Sequence, residues 1–109
     1  MKPRESSVRN KEFEVRELER QLAQSDAMIA DFRRIADDLD SQIAAEEKRT
    51  GVFEPTHFAY STAARAARQR RDKLMSSIAD LEERRAIAAE KLDQAREVYH
   101  SMVHAIDAA

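Results

Sequence analysis

The sequence predicts an all-α fold, a long antiparallel two-helix coiled-coil hairpin. Three observations predict it. Charged residues make up 37% of the chain and hydrophobic residues 42%, a balance suited to long solvated helices. Apolar residues recur at alternating steps of three and four along almost the whole length. The chain holds one glycine, Gly51, and two prolines, of which Pro55 follows Gly51 closely. A single break near the midpoint of a helical chain sends it out, around and back. The expected layout is one hairpin over residues 1–109, with a helix over about 4–49, a turn over 50–60 and a helix over about 61–107.

The first helix starts between Pro3 and Val8. Pro3 suits a first helical turn, and Ser6 or Ser7 could serve as N-cap instead. Its seam is Val8, Val15, Leu18, Leu22, Ile29, Phe32, Ala36, Leu39 and Ile43, with Lys11 and Ser25 in the same register and Glu46 at its end. A helix of about 65–70 Å, at roughly 1.5 Å per residue, needs a partner for such a seam. Lys48 and Arg49 place positive charge at the C-terminal dipole. Gly51 supplies a left-handed C′ residue, and Pro55 forbids resumption.

The turn carries Val52, Phe53, Phe58 and Tyr60. The expectation is that they plug the end of the seam; the alternative is an exposed tip that docks a partner. A helical turn around Thr56 to Ala59 could precede the long helix, which starts near Ser61. The second seam runs Ala64, Ala67, Arg71, Leu74, Ile78, Leu81, Arg85, Ala88, Leu92, Ala95, Tyr99, Met102 and Ile106.

The halves pair best when facing residue numbers add to about 110. Phe32 then meets Ile78, Ile29 meets Leu81, Leu22 meets Ala88, Leu18 meets Leu92 and Ser25 meets Arg85. Arg71 faces Leu39, and its head can leave the seam toward Asp38 or Asp40. On the flank, Glu19 comes near Arg96, Arg33 near Glu82, and Asp40 and Glu47 near Arg68. Such exposed pairs choose register more than they stabilise. The other flank carries Met28 and Ile35, and Phe13 and Ile87 lie on outer faces. Met28, Ile35 and Phe13 are candidates for a partner surface.

Composition excludes several function classes. A net charge of −2 lacks the basic excess of a general nucleic-acid binder, and the basic run at Arg65, Arg68, Arg70, Arg71 and Lys73 lies against an acidic helix end. Without cysteine there is no disulfide, thiol nucleophile or thiolate metal site. No signal peptide or membrane span is expected, so a soluble, cytoplasmic chain without direct membrane insertion is. Two helices enclose no pocket, and no nucleophile pattern or phosphate loop occurs, so no enzyme activity and no cofactor is expected. His100, His104 and Asp107 share a helix face at zinc-like spacing, but solvated residues near a helix C-terminus are the expectation.

Three stretches go beyond a generic heptad pattern. They are DFRRIADDLDSQIAAEE at 31–47, PTHFAYSTAARAA at 55–67 and QRRDKL at 69–74. On these the chain resembles the flagellar export protein FliJ family, particularly its alphaproteobacterial members. Ser61 departs from the proline of many such members. The resemblance implies a component of the flagellar type III export apparatus, cytoplasmic at the flagellar base on the inner membrane. It implies a coiled-coil stalk or adaptor that enters the export ATPase ring, contacts the export gate and meets export chaperones. A ring-entering coiled coil inserts the end that carries both termini, which makes Arg9, Phe13 and Arg96 contact candidates and leaves Phe53 and Phe58 free for another component. The alternative is a structural coiled coil that self-associates as a homodimeric bundle.

Overall fold

The computed structural model describes residues 3–108. Its fold is an all-α two-helix hairpin. Helix α1 spans Pro3–Thr50 and α2 spans Thr62–Ala108, with no strand among the described residues. α1 starts at Pro3, whose missing N–H costs nothing in a first turn; Ser6 and Ser7 lie inside the helix. Every seam position predicted from the spacing, from Val8 to Glu46 and from Ala64 to Ile106, is buried or half-buried. None of the largest side chains is completely shielded, as expected where only two helices cover one another.

The chain divides into two compact units, one from residues 3–27 and 82–108, the other the stretch Met28–Leu81. In the first unit Leu18, Leu92 and Ala95 form the core, with Val15 and Leu22 packed against it. Leu18 and Leu92 are the pair the register predicts. Arg96 lies 3.6 Å from Glu19, also as predicted. Arg85, expected opposite Ser25, sends its guanidinium to the next residue, Asp26. A serine hydroxyl cannot neutralise a cation held at a seam, whereas the adjacent carboxylate can.

In the second unit Leu39, Ile43 and Ala67 form the core, with Leu74 against it. Glu47 pairs with Arg68 at 3.2 Å. Asp40 does not join that pair: it pairs with Arg71, whose Nε faces the carboxylate off the angle a hydrogen bond needs. Arg71 leaves the seam beside Leu39, and Asp40 is the acid its stem reaches. Both units run antiparallel, because partners in α2 fall in number as those in α1 rise. Around the outside, Glu12–Arg16, Glu17–Arg20, Asp31–Arg34 and Glu46–Arg49 pair one helical turn apart, at the surface where solvent screens them.

Candidate partner-binding surfaces

The turn is built from backbone upward. Gly51 has φ +74°, and its N–H donates to the Glu47 carbonyl at 2.8 Å, the left-handed cap expected of it. The Thr50 hydroxyl donates to the Glu46 carbonyl at 3.1 Å and accepts from the Val52 N–H at 3.3 Å. Two reverse turns follow in place of a helical turn. His57 N–H donates to the Glu54 carbonyl, with Pro55 inside the turn, and Tyr60 N–H donates to the His57 carbonyl, both at 3.0 Å. His57 Nδ1 accepts from the Ala59 N–H at 3.0 Å, which fixes the ring, and the ring stacks on Phe58 at 4.7 Å.

A polar lock closes the turn. Tyr60, only 4% exposed, donates from its hydroxyl to Glu47 Oε2 at 2.9 Å and accepts from Arg68 Nε at 2.7 Å. Arg68 Nη2 returns to the same Glu47 oxygen, so three side chains close a triangle. The Tyr60 hydroxyl and then Glu47 push the Arg68 pKa further up. Ser61 is the N-cap of α2: its Oγ accepts from the Ala64 N–H at 3.2 Å and donates to Glu46 Oε2 at 3.0 Å. Arg49 first, and Ser61 second, hold the Glu46 carboxyl below the usual carboxylate range.

The predicted plug therefore holds for two of its four residues, and the alternative, an exposed tip, describes the other two. Tyr60 is buried and Val52 half-buried, but Phe53 is 61% and Phe58 94% exposed. Of the three rings only Tyr60 turns inward, where its hydroxyl meets Glu47 and Arg68. Ser61 gives α2 a side-chain cap that no apolar residue could provide.

The other candidate residues fall in separate places. Met28 and Ile35 are nearly half exposed, on the second unit. Phe13 is exposed on the first unit, as is Arg9, while Arg96 is engaged with Glu19. Met28 and Ile35 thus belong to one unit, and Arg9, Phe13 and Arg96 to the other. The spacing does not foretell an open apolar cleft of about 630 Å³ at the helix ends, lined by Val8, Met102, Ala105 and Ile106 beside Pro3 and Arg4. Among the described residues no three His, Cys, Asp or Glu side chains are grouped to hold a metal ion, His100, His104 and Asp107 included. No helix among them is long and apolar enough to cross a membrane.

The exposed tip is one of two readings the sequence leaves open, and Glu47–Arg68 is an expected pair. What the heptad pattern does not specify is that Tyr60 is the ring that faces inward and joins that pair. A Ser-x-x pattern before an apolar-periodic run is the available signal for Ser61. Comparison with family models, with curated proteins and with solved structures finds no match to this chain.

Proposed function

We propose that this chain is a non-enzymatic component of a flagellar type III export apparatus, a coiled-coil stalk or adaptor that binds the export ATPase ring and the export gate and assists chaperone and substrate delivery. It would act in the cytoplasm, at the flagellar base on the inner membrane. The observation that carries the reading is the PTHFAYSTAARAA stretch at 55–67, which resembles the FliJ family and lies at the reversal of a two-helix hairpin. An adaptor of this kind needs outward-facing contact residues, and Phe13, Phe53 and Phe58 are outward-facing.

The test is stimulation of the export ATPase from the same cell. The unaltered chain raises the rate of ATP hydrolysis. Changing Arg9, Phe13 and Arg96 together to alanine abolishes that effect, while circular dichroism shows the helical content kept. Loss on changing Phe53 and Phe58 instead reverses the polarity of the stalk. An unaltered chain that neither binds nor stimulates the ATPase overturns the reading.

A further inference from the structure

The two flanks of the Met28–Leu81 unit are unlike. On one, ion pairs join the helices: Asp40 with Arg71 and Glu47 with Arg68. The opposite flank has no such ladder. There α1 presents Met28, Asp31, Ile35, Asp38 and Gln42, a second stripe with three-four spacing, all exposed. Beside it α2 presents Arg70, Lys73, Ser77 and Asp80, also exposed and also spaced by three and four. Met28 and Ile35 are 44% and 45% exposed. Asp31 is occupied by Arg34 on its own helix. No ion pair between described residues uses Asp38, Arg70 or Lys73.

We propose that this flank is the interface with a second copy of the chain. A two-fold axis parallel to the helices lays α1 of one copy on α2 of the other. That operation is selected by charge. It sets Asp38 of each copy at the height of Arg70 and Lys73 of its partner, and it gathers the Met28 and Ile35 side chains of both copies in the middle. Asp31, which comes to the height of the partner's Asp80, is already neutralised by Arg34. A two-fold axis across the helices would instead set α1 on α1 and α2 on α2, and so keep Asp38 from the cations of the partner's α2. The apolar payload is four side chains, so the dimer is concentration-dependent and weakened by salt, because exposed cations and carboxylates supply part of its specificity. The proposal does not rest on the export reading: none of Arg9, Phe13, Phe53, Phe58 and Arg96 takes part.

Sedimentation velocity of the full chain over a concentration series, at low and high salt, provides the test. The unaltered chain shifts from monomer to dimer with concentration, at lower concentration in low salt. Asp38→Lys alone and Lys73→Asp alone each put like charges at both symmetry-related contacts and raise the dimer dissociation constant about tenfold or more. Both are exposed changes, so helical content is kept. Mixing the two variants restores dimers, because each chain then offers the other its complement. A chain monomeric at every concentration overturns the proposal. So does a dimer indifferent to both single changes, or a mixture no better than its components.

Discussion

Tyr60 donates its hydroxyl hydrogen to Glu47 across the chain reversal, at 2.9 Å, and so ties the segment leading into α2 to the last turn of α1. Arg68 completes the triangle. Tyr60 is buried, so its ring is held in place while the hydroxyl makes these bonds. Tyr60→Phe keeps the ring and removes the bond, which should cost about 1–2 kcal/mol, below a wholly buried charged bond since Glu47 and Arg68 keep each other. Thermal melts of Tyr60→Phe, Glu47→Gln and the double variant check it. The double change should cost less than the sum of the singles; simple additivity would mean the three do not act as a unit.

Glu46 gives the hairpin a pH dependence of definite sign. Its carboxyl is held below the usual range by Arg49 and Ser61. The folded value lies below the unfolded one. The contribution is thus fully present above the unfolded carboxylate pKa and disappears as pH falls through the folded value. Glu46→Gln should flatten the acid limb of the melting-temperature profile and leave the plateau near neutral pH almost level, since the group is at the surface. An unchanged acid limb would assign the acid sensitivity to other carboxylates.

Much of this is legible in the sequence because a coiled coil writes its packing into spacing. The whole seam, the Leu18–Leu92 layer and the left-handed Gly51 follow from a repeat and one glycine. The ion pairs are largely legible: Glu19–Arg96 and Glu47–Arg68 fall as expected and Arg71 reaches Asp40, one of its two expected acids, while Asp40 does not join Arg68 and Arg85 takes Asp26. Long side chains reach several residues, so periodicity fixes the flank and not the partner. The turn is the least legible part, since its order depends on hydrogen bonds among Glu46, Glu47, Tyr60, Ser61 and Arg68 that no repeat encodes.

The core should be uneven in its tolerance. Ile78 is 3% exposed, whereas Phe32, predicted to share its layer, is only half-buried. Truncation costs follow the buried surface removed and the cavity left behind. Ile78→Ala should destabilise by about 2–4 kcal/mol, and Phe32→Ala by no more than that despite its larger ring. Chemical denaturation of the two variants decides. A greater loss from Phe32 would mean that ring contact, rather than burial, governs the layer.

The reversal itself should depend on Gly51 more than on Pro55. A Cβ added at Gly51 would meet no atom within 4 Å, so space is not the constraint. The constraint is φ at +74°, where a β-carbon strains the backbone. Gly51→Ala should cost about 1–2 kcal/mol. Pro55 donates no hydrogen bond and sits where its fixed φ suits a turn, so Pro55→Ala alone should cost less than about 1 kcal/mol. Together the two changes remove both signals that stop α1, and a continuous helix can then form through the turn. That helix can bury its seam only against another chain. The double variant should therefore sediment as an oligomer at concentrations where Gly51→Ala alone matches the unaltered chain. If it does not, the Tyr60–Glu47–Arg68 triangle suffices to hold the reversal by itself.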